Sequence, residues 1–144
     1  MQKGEQNMAK IILASHGGLS KGMKDSVSMI VGDLAKDVET YSLLPGENPE
    51  DFYQEVLNEA KESEELFLIL CDVKGGSVHT ALSKLAVLDN VMVFSGMNMG
   101  LVLDVVMRSM NGNLELADAN DLIEAAKDGM TVMNGMISED DEDW

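Results

Sequence analysis

Residues 66–71 read L-F-L-I-L-C, six apolar residues in succession. A half-exposed strand alternates apolar with polar residues, so an unbroken run means that both faces are covered. That is the condition of a central strand in a parallel sheet, which needs crossover connections on its faces. The rest of the chain supplies them. Residues 11–14, 38–44 and 91–94 are further short strand candidates. Between them lie segments with apolar residues at helical spacing. Ser20 reads as the cap of a helix carrying Met23, Val27, Ile30 and Leu34, with Gly32 as its end. Asn48-Pro49 is a helix start: a cap residue, a proline at the first helical position, and Glu50 and Asp51 where the helix dipole favours acids. Phe52, Val56, Leu57 and Ala60 form its apolar face. Ser77 reads as the cap of a helix bearing Val78, Ala81, Leu82, Leu85 and Ala86. Residues 100–110 turn Leu101, Val102, Val105 and Val106 inward, and residues 119–127 form a shorter helix. Residues 130–133 read as a final edge strand. Strands alternating with helices predict an α/β fold, a parallel sheet with helices on both faces.

A chain of 144 residues suits one domain with a real core. Residues 1–9 read as an extension, 10–134 as the domain, and 135–144 as an acidic tail whose last seven residues include five acids. The formal net charge of −16 leaves no basic patch to neutralise phosphates, so neither nucleic acid nor an anionic membrane is an expected partner. A phosphate group would have to be held locally, by backbone N–H groups and helix N-termini. The single cysteine, Cys71, excludes an internal disulfide and a multi-cysteine metal site, and its apolar setting reads as a buried thiol in a reducing compartment. No apolar stretch approaches the about 20 residues that cross a bilayer, and residues 1–9 lack the apolar core of a signal peptide. A cytoplasmic protein is expected. The twelve methionines are scattered and read mostly as core filler.

Chemistry concentrates at two strand ends. In parallel α/β folds the site lies beyond the carboxyl ends of the strands, where strand order reverses. The first strand ends on Ser15, followed by His16, Gly17 and Gly18. The third ends at Asp72, followed by Val73, Lys74, Gly75, Gly76 and Ser77. A neutral imidazole offers one lone pair. A carboxylate on its other N–H would fix the tautomer and stabilise positive charge as the free nitrogen attacks. Asp72 is the candidate carboxylate for His16; the alternative is a capping histidine without chemistry. Gly75, Gly76 and Ser77 can turn N–H groups and a hydroxyl toward one anion, or they are a plain capped turn. The only other histidine, His79, is either a second acid/base group or a bystander on a helix. Lys74 either approaches a phosphate or is simply solvated. H-E-x-x-H, P-loop, G-x-G-x-x-G and G-x-S-x-G patterns are absent, so no metal or cofactor is expected.

Together these residues resemble the enzyme IIA domain of the mannose/fructose/sorbose-type family of the bacterial sugar phosphotransferase system. The resemblance runs over residues 10–134. It rests on S-H-G at 15–17, S-x-x-M-I-x-G at 26–32, P-G-E-N-P-E-D at 45–51, D-x-x-G-G-S at 72–77 and S-G-x-N at 95–98. The resemblance implies that a histidine-containing phosphocarrier protein phosphorylates His16, which passes the group to enzyme IIB for a sugar entering through a membrane permease. It implies that Asp72 orients His16 and that Ser77 contacts the phosphoryl group. It also implies a sheet in the order 2-1-3-4 and a homodimer that exchanges an edge strand, here residues 130–133. Departures cluster on the rim. Val73-Lys74 and Val78 stand where the family often has Leu-Phe and Pro, His79-Thr80 replaces an aromatic-Asn pair, and N-M-G at 98–100 replaces N-L-P. Two other roles stay open for the same histidine: a regulatory phosphohistidine module, or the phosphotransfer subunit of a dihydroxyacetone kinase. A flavodoxin-like binder would need aromatics in the strand-end loops, and aromatics are only 4% of the chain.

Overall fold

The computed structural model describes residues 9–112 and 114–136. Residues 1–8 of the expected extension and residues 137–144 of the expected acidic tail lie outside the described residues. Four strands, β1 (Lys10–His16), β2 (Glu39–Leu43), β3 (Phe67–Cys71) and β4 (Val91–Phe94), pair in parallel in the order β2-β1-β3-β4. Among the described residues, five α-helices connect and follow them: α1 (Leu19–Val31), α2 (Pro49–Lys61), α3 (Ser77–Leu82), α4 (Met99–Met110) and α5 (Ala119–Asp128). Short 3₁₀ turns extend α1 through Gly32–Ala35 and α3 through Ser83–Val87.

The unbroken apolar run does what its composition requires. Every residue of β3 is buried. Its alternate side chains enter two separate cores, as the period of two demands. Leu68 and Leu70 join Ile11 and Leu13 of β1 under α1, α4 and α5. Phe67, Ile69 and Cys71 join Ile12 and Ala14 under α2 and α3. Burying each such large side chain contributes about 1.5–3 kcal/mol before entropy is counted.

Strand order positions the site. The chain passes from β1 to β2 on one side, then crosses to β3 on the other side of β1. The reversal therefore falls between β1 and β3, where a crevice opens beyond their carboxyl ends. Ala14 is in register with Cys71, so Asp72 stands level with Ser15, one residue before His16, and the two side chains lie within reach of each other.

Several helix ends follow their sequence signals. The Asn48 side chain accepts the Glu50 N–H at 3.0 Å, and Gly32, at φ +62°, closes α1. Other expectations are corrected. Neither Ser20 nor Ser77 is a cap residue. Gly18 precedes α1 and Gly76 precedes α3, both without a side-chain cap bond. On α1 the inward face runs through Met23, Val27 and Val31, while Ile30 and Leu34 are exposed. Spacings of three and four both suit a helix, and the change to a 3₁₀ turn after Val31 rotates Ala35 inward in place of Leu34. Ala86 is exposed as well. Met23, Met92, Met97, Met99 and Met110 pack on a core, but Met29, Met107, Met130, Met133 and Met136 face outward. Residues 130–133 form no strand of the four-stranded sheet; Met133 makes a single β-bridge, which is less than a strand, and Met130, Val132 and Met133 are exposed.

Candidate functional site

His16 is the last residue of β1, and its side chain is 48% exposed. The backbone turns away at Gly17, whose φ of +56° lies in the region that side chains disfavour. The Gly17 N–H donates to the Leu43 carbonyl at 2.9 Å. Beneath the turn sits Ser15, fully buried. Its hydroxyl accepts the Ser20 N–H at 2.8 Å and donates to the Gly17 carbonyl at 3.2 Å. Ser15 thus serves one of the unpaired N–H groups that open α1, work that a cap residue normally does for about 1 kcal/mol. Ser20 is buried too, and its hydroxyl donates to the Tyr41 carbonyl at 2.9 Å. These bonds tie the turn after His16 to β2.

Asp72 directly follows β3 and meets His16 across the reversal. One carboxylate oxygen, Oδ2, accepts both the His16 backbone N–H and the ring Nδ1–H, each at 2.8 Å. The other, Oδ1, accepts the Val73 N–H at 2.9 Å. Burial by itself would raise the Asp72 carboxyl. The hydrogen bonds from the His16 backbone, the His16 ring and the Val73 backbone outweigh it, and hold the carboxyl below its ordinary range. An ionised carboxylate can only accept, so the ring proton resides on Nδ1 and the lone pair on Nε2. Nε2 lies 3.0 Å from Ser77 Oγ, whose hydroxyl is the donor in that pair.

The two glycines of the second turn have separate uses. Gly75 adopts φ +81°. Gly76 allows close approach: a Cβ there would lie 2.8 Å from Val73 Cγ1 and 3.3 Å from His16 Cε1. Their N–H groups are already engaged, Gly75 with His79 Nδ1 at 3.0 Å and Gly76 with the Val73 carbonyl at 3.1 Å. The N–H groups that open α3, from Ser77 and Val78, have no intrahelical acceptor. Beside the ring lies an apolar hollow of about 390 Å³ walled by Leu43, Leu44 and Pro45, with Glu47 on its rim. Lys74 is exposed. Cys71 is adjacent but buried, and burial, with the Asp72 charge beside it, pushes its thiol up to about 12; it stays protonated.

The structure therefore brings together His16, Asp72, Gly76 and Ser77, and sets Gly75 and His79 one layer behind. Ser15 and the backbone-bonding role of His79 were missed in the sequence. A cap normally bonds two or three residues ahead, and Ser15 reaches five.

The profile of the family described as "PTS system fructose IIA component" matches residues 10–126. The chain belongs to this mannose-type enzyme IIA family. A relative, the "PTS system sorbose-specific EIIA component" of Klebsiella pneumoniae, is 34% identical over 102 residues, 69% of this chain and 73% of the relative. Among solved structures, the PTS IIA protein associated with the fucose utilization operon of Streptococcus pneumoniae is similar at TM-score 0.72 and 26% identity, covering 87% of this chain and 93% of that one. The phosphotransferase system component EIIA of Streptococcus agalactiae is similar at TM-score 0.74 and 25% identity, covering 87% and 97%. This enzyme IIA is accordingly a phosphotransfer component of a sugar-uptake system of the mannose/sorbose type. Among the described residues of the enzyme IIA, no helix is long and apolar enough to cross a membrane.

Proposed function

We propose that His16 of this enzyme IIA accepts a phosphoryl group on Nε2 from a histidine-containing phosphocarrier protein and passes it to enzyme IIB, which serves a sugar-transporting membrane permease. The observation that carries this reading is the Asp72 Oδ2 to His16 Nδ1 bond of 2.8 Å, which leaves the lone pair on Nε2 of a half-exposed ring. In the transfer a nitrogen–phosphorus bond forms at Nε2 while the donor's own nitrogen–phosphorus bond breaks. The ring becomes cationic in character, and the Nδ1 proton stays between it and Asp72, whose negative charge stabilises it. Ser77 Oγ gives up its bond to Nε2 and donates instead to a phosphoryl oxygen. Gly75 and Gly76 hold the turn close enough for this. Transfer between two histidines needs alignment and charge stabilisation rather than new covalent chemistry, which suits a site with one nucleophile and preset donors.

The test is incubation of the full chain with the general phosphotransferase proteins and phosphoenolpyruvate. An acid-labile phosphate linked through Nε2, identified by nitrogen-coupled phosphorus resonance and discharged by an enzyme IIB, is expected. An acid-stable phosphate, or one on Nδ1, rejects the reading.

The same reading includes a homodimer in which residues 130–133 of one chain pair with the open edge of β4 in the other. Two features support it. β4 ends the sheet, and an apolar groove of about 330 Å³ runs along it between Val93, Phe94, Ala119 and Ile123. An unpaired strand edge is a template for pairing, and Met130, Val132 and Met133 are an exposed apolar segment. Sedimentation of the full chain should give twice the monomer mass, and truncation before Met130 should halve it. A monomeric full chain excludes the exchange.

A further inference from the structure

His79 is one of two histidines in the chain, and nothing in the transfer just described uses it. Its surroundings assign it a task. Gly76 precedes α3, so His79 stands at the third helical position. At that position a Glu or Gln side chain often reaches back to a backbone N–H at the helix start and closes the first turn. His79 Nδ1 does the equivalent one residue further out, accepting the Gly75 N–H at 3.0 Å. Thr80 adds a second tie, its hydroxyl donating to the Gly75 carbonyl at 3.3 Å. Because Nδ1 accepts, it carries no proton, and the neutral ring bears its hydrogen on Nε2.

The turn needs such a tie. Gly75 sits at φ +81° with no side chain to restrict it. Its neighbour Gly76 lies against the His16 ring, 3.3 Å from Cε1 at the Cβ position, and Ser77 Oγ lies 3.0 Å from Nε2. Asp72 anchors one end of this loop through its bonds to His16 and Val73. At the other end the Gly76 N–H donates to the Val73 carbonyl, the Gly75 N–H to His79 Nδ1, and Thr80 donates its hydroxyl to the Gly75 carbonyl and its N–H to the Gly76 carbonyl at 2.8 Å. Without the His79 acceptor, the Gly75 N–H loses its partner and the peptide before Gly75 can rotate, which lets Ser77 drift from Nε2.

We infer that His79 is a positioning residue for phosphoryl transfer: its Nδ1 holds the Gly75 turn and so keeps Ser77 Oγ aimed at His16 Nε2. The inference rests on the phosphohistidine reading of His16. It does not make His79 a phosphate carrier, since its Nδ1 is committed to the backbone.

The test compares two variants of the full chain. His79→Leu puts an apolar side chain in its place and cannot accept a hydrogen bond. His79→Asn places Oδ1 where Nδ1 stood and can. Misplacement of a catalytic contact by about 1 Å costs up to 10²-fold. The rate of His16 phosphorylation at saturating phosphocarrier should therefore fall on the order of 10-fold in His79→Leu and stay within about twofold of wild type in His79→Asn. Hydrogen exchange at the Gly75 amide should be slow in wild type and His79→Asn, and fast in His79→Leu. Equal rates in wild type and His79→Leu overturn the inference and leave His16 as the carrier. So does equal loss in both variants, which marks a merely structural side chain. A wild-type chain that takes no phosphate at all overturns both readings together.

Discussion

His16→Gln reduces labelling from phosphoenolpyruvate to background, a loss of about 10⁴-fold or more. Glutamine has similar length and polarity, and its amide can still donate toward Asp72. It lacks the one feature that the reaction requires, a nitrogen lone pair able to form a bond to phosphorus. The structural cost should be small, within about 1 kcal/mol, because the ring is half exposed and the His16 backbone N–H keeps its bond to Asp72. Loss of labelling with an unchanged melting transition therefore isolates chemistry from folding. A labelled His16→Gln protein would sink the assignment, and peptide mapping would then show which residue carries the phosphate.

Asp72→Asn is expected to slow phosphorylation by about 10²–10⁴-fold. The reason is countable. Asp72 receives three N–H donors, two at Oδ2 and one at Oδ1. An amide has one oxygen. With its oxygen toward His16, its NH₂ faces the Val73 N–H; with its oxygen toward Val73, its NH₂ faces both His16 donors. Either way an N–H confronts an N–H. In the second orientation the ring must also shift its proton to Nε2, which removes the nucleophilic lone pair. The negative charge that would stabilise the proposed phosphorylated ring is gone in both.

The same substitution has a pH signature. The folded Asp72 carboxyl titrates below its ordinary value of 3.8. A lowered folded pKa means that its stabilisation is complete above the ordinary value and is lost as pH falls through the folded one. Wild type should therefore lose more stability than Asp72→Asn between about pH 5 and pH 2, measured by urea unfolding at stepped pH. Parallel losses in the two proteins would show that the Asp72 bonds contribute nothing to folding.

Legibility in the sequence followed the range of the interaction. The strands were readable because short apolar runs, longest in the fully buried β3, alternate with segments of helical spacing. His16 and Asp72 were readable as strand-end residues, and their pairing required only the order in which parallel strands neighbour one another. The helix starting at Asn48-Pro49 was readable because a cap and its acceptor N–H lie within one turn. Ser77 stands out in the sequence, but its two possible jobs, capping α3 or meeting an anion, look identical in one dimension. Its hydroxyl goes to a ring 61 residues away. Ile30 has the spacing of a core residue yet is exposed, because spacings of three and four differ only by the rotation that packing selects. Residues 130–133 have the composition of a strand, yet a strand is a relation between two segments and cannot be read from one.

The sequence by itself determined that this chain builds a parallel α/β sheet and presents a histidine, a carboxylate and a Gly-Gly-Ser turn at strand ends. Those are consequences of local burial and of which residues can occupy tight turns. Only the tertiary structure decided which ring nitrogen is free. That depends on Asp72 Oδ2 facing Nδ1 and Ser77 Oγ facing Nε2, a choice made by the register of β1 against β3. It also decided that Ser15 and His79, whose backbone bonds no spacing along the chain announces, support the two turns between which His16 sits. Hydrogen-bond direction is a property of atoms brought within about 3 Å, and no pattern along the chain carries it.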